Sequence, residues 1–144
     1  MSVSSSKERL YLDTNIYLDH LLKRGSKSTQ FLREIANTKF DGFTSYLTFS
    51  EVCGVLKAEG YPLNKVSEIV NRIQKWPNIQ ILMSNPSIER NVPDAILATC
   101  CQTRDALHFS TARFVSVDKI VTRDTGFKQA VTKVIPCVLP EDLV

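Results

Sequence analysis

Apolar positions in this chain form short continuous runs that alternate with stretches of helical period. Residues 9–13, Arg-Leu-Tyr-Leu-Asp, are a β-favouring run that stops at the polar triplet Asp13-Thr14-Asn15, which predicts a buried strand ending in a loop. From Asn15 to Leu22 the positions Ile16, Leu18, Leu21 and Leu22 follow helical spacing up to a Gly25-Ser26 break, and a second helix is predicted from Gln30 to Asn37 with Phe31, Leu32 and Ile35 on one face. A brief strand, Phe43 to Ser45, leads into a helix that carries Leu47, Glu51, Val55 and Leu56 and closes at Glu59-Gly60. Pro62 opens a further helix through Trp76, and Ile79 to Met83 reads as a strand. The region from Pro86 to about Phe114 is mostly helical, with breaks expected near Val92-Pro93 and Thr103–Asp105. Lys119 to Thr122 is a strand that again ends at an aspartate, in Thr122-Arg123-Asp124-Thr125-Gly126. A short helix and a last strand, Val134 to Leu139, follow.

Strands alternating with helices imply an α/β fold: a mainly parallel sheet covered by helices on both faces, in three layers, with right-handed crossovers. Ligands in such folds sit beyond the carboxyl ends of the strands. With 144 residues, 43% of them hydrophobic and 23% charged, the chain suits one domain over 1–144, preceded by a loose tail, MSVSSSK, over 1–7. That tail has no apolar signal region, and no run approaches the roughly 18 apolar residues that span a bilayer, so a soluble, cytoplasmic protein is expected.

Cys53, Cys100, Cys101 and Cys137 do not have the spacing of a disulfide framework and are expected to be buried, reduced thiols. A zinc site from Cys100, Cys101 and His108 lacks any Cys-x-x-Cys support. The net charge of +3 permits a polyanionic partner without requiring one. Arg104 and Arg123, each beside a candidate acid, and Lys23, Arg24 and Lys27 are the candidate phosphate contacts; solvated surface charge is the competing explanation.

Asp13 and Asp124 both follow strands, so a parallel sheet brings them to one edge despite their separation in sequence. Two carboxylates about 4 Å apart repel by roughly 4 kcal/mol at an effective dielectric of 20, so such a group persists only with protons or cations. Magnesium accepts hard oxygen ligands and keeps several waters, so a few carboxylates suffice and neither His20 nor His108 is required. One ion activating water and a second steadying the leaving oxygen is the usual logic of phosphodiester hydrolysis at acid clusters. Each acid also has a plainer explanation: Asp13 and Asp105 as caps of helices beginning near Ile16 and at Ala106, Asp124 as a turn residue, and Glu51 as a solvent-facing helical residue.

Four blocks in order, LDTNIYLD around Asp13, TSYLTFSEVCGVL around Glu51, DALHFSTA from Asp105 and IVTRDTGF around Asp124, together with the ending CVLPEDLV, make the chain resemble the PIN-domain nucleases, and among them the small VapC-like toxins of type II toxin-antitoxin systems. The resemblance covers nearly the whole chain. It implies a PIN-like three-layer α/β/α sandwich and a magnesium- or manganese-dependent endoribonuclease. Asp13, Glu51, Asp105 and Asp124 would be the catalytic and metal-holding acids, with Asn15 and Thr122 supporting them. It further implies an RNA substrate, a cognate antitoxin and a homodimer, for which the apolar helix Val66 to Ile73 is a candidate face. Asp94, after Pro93, competes with Asp105 for the third position, and the DALHFSTA context favours Asp105. Asp118 precedes its strand and is expected at the opposite edge.

Two other functions fit the same blocks: a housekeeping RNA-processing nuclease with the same acids, and a non-catalytic PIN-fold module that binds RNA or protein, against which the presence of all four acids argues. An aspartyl-phosphate phosphatase or receiver-like domain fits less well, because Asp13-Thr14-Asn15 lacks the second aspartate such phosphatases need.

Overall fold

A computed structural model describes residues 6–144; most of the expected N-terminal tail, residues 1–5, lies outside the described residues. Five strands, β1 (Arg9–Leu12), β2 (Asp41–Ser45), β3 (Ile79–Leu82), β4 (Lys119–Val121) and β5 (Cys137–Val138), form one sheet in the order β3-β2-β1-β4-β5, and every pairing is parallel. The central strand β1 buries Leu10, Tyr11 and Leu12 completely, as expected of a strand covered on both faces. Alternation decides the face: Leu10 and Leu12 belong to one core and Tyr11 to the other, just as Val121 and Ile120 of β4 divide between them.

The first core packs α1 (Thr14–Leu21), α2 (Ser26–Ala36), α3 (Tyr46–Ala58) and α4 (Leu63–Ile73) against the sheet through Ile16, Tyr17, Phe31, Leu32, Phe49, Val52 and Leu56. Ala95 of α6 (Val92–Thr99), Ala106, Phe109 and Ala112 of α7 (Thr103–Phe114), and Phe127 and Val131 of α8 (Thr125–Val131) build the second core. The short α5 (Pro86–Arg90) is tied to α7 by the Ser110 hydroxyl, which donates to the Ile88 carbonyl. The result is the three-layer α/β/α sandwich that the alternation predicts. Close strand approach is visible at Gly42, where a Cβ would meet Ile79 Cγ1 at 2.9 Å.

Several boundaries differ from the sequence expectation. The second helix starts at Ser26 rather than Gln30, because Ser28 is buried and donates its hydroxyl to Asp19, a tertiary contact without periodicity. The last strand shrinks from Val134–Leu139 to Cys137–Val138, the two residues that find partners in Ile120 and Val121. The helix ending the Pro62 segment stops at Ile73, and Trp76 instead donates its indole N–H to the Leu32 carbonyl. The apolar face of α4 considered for dimerisation, Val66, Val70 and Ile73, is buried in this chain's own core.

The cysteine expectation needs correction. All four thiols are free, but only Cys137 is buried, and burial pushes its thiol up to about 11; Cys53 and Cys101 are half-buried and Cys100 is exposed. Cys100 ends α6 with a left-handed backbone, φ 56°, and that places its side chain outside both cores. Cys100 and Cys101 occupy the break between α6 and α7, whereas His108 is buried against Glu51 and Tyr11, so no zinc group forms from these three.

Candidate active site

Chain order along the sheet reverses at β1: β2 and β3 lie to one side of it and β4 and β5 to the other. The crevice between β1 and β4 is therefore the topological switch point, where open α/β sheets bind ligands. Asp13 and Asp124 are the residues that leave the sheet on either side of it. Asp13 follows β1 and caps α1, its Oδ1 accepting the Thr14 N–H at 2.7 Å. Asp124 follows β4 and caps α8, its Oδ1 accepting the Phe127 N–H at 3.0 Å. Thr122 and Asn15 stitch the two strand ends together. The buried Thr122 hydroxyl donates to Asp13 Oδ2 at 2.7 Å and accepts the Asp124 N–H at 3.0 Å, while the Asn15 amide reaches both Asp13 Oδ2 and Thr122 and its carbonyl accepts the Arg123 N–H.

Glu51 and Asp105 arrive from opposite layers. Residues Phe49, Val52 and Leu56 turn α3 towards the first core and leave Glu51 at the sheet's edge, where Oε1 accepts the Thr14 hydroxyl at 2.9 Å and lies 2.6 Å from His108 Nε2. Asp105 is not the helix cap considered from sequence. Helix α7 starts three residues earlier, at Thr103 after Gln102, so Asp105 stands in its first turn with the side chain released from capping.

The electrostatics tie the four acids together. Burial raises the Asp105 carboxyl above the ordinary carboxylate value, and the charges of Asp124, Asp13 and Glu51 raise it further, against a lowering by His108. For Glu51, burial also raises the pKa, but the hydrogen bond and charge of His108, the Thr14 hydroxyl and Arg104 together outweigh it, and the net shift is downward. Asp94 is not part of this group: it is exposed on α6 and lines a recess with Arg113 and Phe114. Asp118 accepts the Arg9 N–H at 2.7 Å at the start of β1, the opposite edge of the sheet.

The two candidate phosphate contacts part company. Arg104 is largely exposed, 3.7 Å from Glu51 Oε2. Arg123 is spent inside the protein: its Nε pairs with the buried Asp19, and its terminal nitrogens donate to Ser28 and to both oxygens of Glu141. The adjacency of Arg123 to Asp124 in sequence made it look like a ligand contact, although its guanidinium joins α1, α2 and the turn Pro140–Asp142.

Sequence reasoning set His108 aside, and the structure places it among the acids. It is 1% exposed, bonded to Glu51 through one ring nitrogen and to Tyr11 through the other. Its partners lie far away in sequence, so no local pattern signals the contact; its place in the DALHFSTA block, three residues after Asp105, is the one available clue.

Chemically the donor set is hard oxygen on four different segments, which suits magnesium or manganese better than a thiophilic metal. Among the described residues no three His, Cys, Asp or Glu side chains are grouped so that they could hold a metal ion by themselves. The fit is therefore to an ion held by one or two of the carboxylates and completed by water.

Comparison with known proteins gives the family and the fold. Ribonuclease VapC2 of Methanocaldococcus jannaschii is 25% identical over 134 residues, covering 85% of this chain and 89% of the relative. A toxin-antitoxin complex from Klebsiella pneumoniae contains a chain that aligns over 91% of this chain and 97% of its own length with a TM-score of 0.66 at 18% identity. The structure of VapBC2 from Rickettsia felis bound to a DNA fragment from their promoter does so over 91% and 98%, with a TM-score of 0.72 at 13% identity. At such identities the structural matches speak for the fold alone. The sequence model of the PIN domain matches residues 10–133, from the middle of β1 past the end of α8, and this chain belongs to the PIN-domain family.

Proposed function

We propose that this protein is a divalent-metal-dependent endoribonuclease that hydrolyses RNA phosphodiester bonds through Asp13, Glu51, Asp105 and Asp124, and that it acts as the toxin of a toxin-antitoxin pair. The observation that carries the reading is geometric: Asp13 and Asp124 leave β1 and β4 at the switch point and are joined through Thr122, and Glu51 meets the same edge through Thr14 and His108. The Asp105 carboxyl, raised first by burial and then by Asp124, Asp13 and Glu51, is consistent with a place beside them, and carboxylates gathered in this way repel unless a cation or protons offset them. The family supports nuclease chemistry, the relative named as a ribonuclease supports RNA as the substrate, and the neighbour described as a toxin-antitoxin complex supports a protein partner.

Asp13 would be the fixed ligand, because Thr14, Asn15 and Thr122 hold both its oxygens. Glu51 offers Oε2, Oε1 being occupied, and Asp105 and Asp124 complete the acid edge. A bound magnesium or manganese ion would supply Lewis-acid activation of the phosphodiester and of the attacking water. Arg104, exposed beside Glu51, is placed to meet the phosphate backbone of RNA. An antitoxin segment that covers the acid edge would have to bring positive charge to it.

The test is RNA cleavage by the purified protein on mixed single-stranded and structured RNAs with magnesium, manganese or a chelator, beside Asp105→Asn. That variant is chosen because no part of the strand-end hydrogen bonding runs through the Asp105 side chain. Cleavage that needs metal and falls at least a hundredfold in Asp105→Asn is expected. RNA binding without cleavage under every metal would replace the nuclease with a non-catalytic module.

A further inference from the structure

His108 is a polar residue buried in an apolar face of α7, between Ala106 and Phe109 in sequence and 1% exposed. An imidazole so placed needs partners for both ring nitrogens, and it has them: Nε2 lies 2.6 Å from Glu51 Oε1 and Nδ1 lies 2.6 Å from the Tyr11 hydroxyl. An ionised carboxylate only accepts hydrogen bonds, so the Nε2 proton points at Glu51. On the far side, the Tyr11 hydroxyl is 3.1 Å from the Ser45 hydroxyl, and the Tyr11 and His108 rings meet edge to face with centroids 5.7 Å apart. Tyr11 belongs to the central strand and is fully buried, so the imidazole is braced from the middle of the sheet.

The consequence falls on one atom. Glu51 Oε1 accepts from both His108 and the Thr14 hydroxyl, whereas Oε2 has only Arg104 nearby, at 3.7 Å. Asp13 Oδ1 is 3.9 Å from the same His108 nitrogen, too far for a hydrogen bond, so the histidine is committed to Glu51 and leaves Asp13 to Thr14, Asn15 and Thr122. A glutamate has three side-chain torsions to fix before it can serve as a ligand, and its helix fixes none of the outer two.

We propose that His108, braced by Tyr11 and Ser45, is a positioning residue of the ion site: it ties down Oε1 of Glu51 and so presents Oε2 to the metal. The proposal rests on the reading of the acids as a metal site. His108 touches neither RNA nor ion. It acts through Glu51, in the way that hydrogen-bond partners behind metal ligands set ligand orientation and affinity.

The experiment is a manganese titration followed by electron paramagnetic resonance of the free ion, on full-length wild type, His108→Ala, His108→Gln and Tyr11→Phe, each checked for a cooperative thermal melt. Wild type is expected to bind. His108→Ala should weaken binding about tenfold or more, and RNA cleavage in that variant should recover towards wild type as manganese is raised. His108→Gln, which keeps an N–H at the distance of Nε2, should regain most of the affinity. Tyr11→Phe, which removes only the brace, should show a smaller loss with the fold intact, and it carries the test if His108→Ala does not fold. Wild-type affinity in both His108→Ala and Tyr11→Phe overturns this proposal alone, as does a His108→Gln that stays as weak as alanine. A wild type that binds no manganese removes the metal-site reading, and this proposal with it.

Discussion

Asp105 carries a carboxylate that burial and three neighbouring acids all disfavour, and the direction of that shift has a measurable consequence. A carboxyl whose folded pKa is raised holds its proton to higher pH in the folded than in the unfolded chain. The stability that proton contributes is complete below the ordinary carboxylate value and is lost as pH rises through the folded value. Asp105→Asn, which cannot ionise, is therefore expected to resist urea better than wild type at pH 7 in chelator, with the advantage closing as the pH falls to about 4. Urea midpoints at the two pH values check it, and an equal difference at both would contradict the origin assigned to the shift. The residues around Asp105 differ in how much of this sequence shows. Asp13 and Asp124 are readable because a strand's end is a local pattern and a parallel sheet converts two such ends into one edge. Glu51 emerges through the resemblance of its block, since one glutamate on an apolar helix has no local mark. His108 is invisible, because what makes it matter is contact with Tyr11 and Glu51, 97 and 57 positions away.

Between residue and fold, the break from α6 to α7 sets where Asp105 and Arg104 stand. Asp105, suited to an N-terminal helical turn, predicts that a break exists; it does not predict that Cys100 makes it, because a left-handed backbone is ordinarily a glycine's position. A non-glycine residue there costs about 1–2 kcal/mol, part of which glycine would return as unfolded-state entropy. Cys100→Gly is thus expected to stabilise the chain by about 1 kcal/mol in thermal or urea unfolding; a loss of stability would mean that the Cys100 side chain contributes packing its exposure does not suggest. The Arg123 junction shows the opposite limit of sequence reading. Its charges are plain in the sequence, but whether they face RNA or Asp19 and Glu141 depends on how α1, α2 and the turn Pro140–Asp142 come together.

Considered as one body, and on the proposed reading of the acid edge, metal binding and global stability form a single equilibrium. An ion that binds the folded but not the unfolded chain stabilises it by about 2.7 kcal/mol at a hundred times its dissociation constant. Manganese is expected to raise the melting temperature of wild type and to leave Asp105→Asn nearly unmoved, so the two melting curves should exchange order between chelator and saturating metal. Differential scanning calorimetry reads this directly, and parallel rises in both proteins would mean that Asp105 does not hold the ion. The layers and covered faces follow from alternation and periodicity, whereas the strand order and short elements such as β5 depend on which neighbours offer partners.

The position of β1 between β2 and β4 also bears on how the protein is made. Asp13 leaves the ribosome early, but its partner across the crevice arrives only when β4 has been synthesised and has docked alongside it. Until β4 docks beside β1, the nascent chain holds separated acids and no crevice to gather them. The apposition of the two strand ends thus rests on a late, long-range contact, the Thr122 hydroxyl donating to Asp13 across 109 positions of chain.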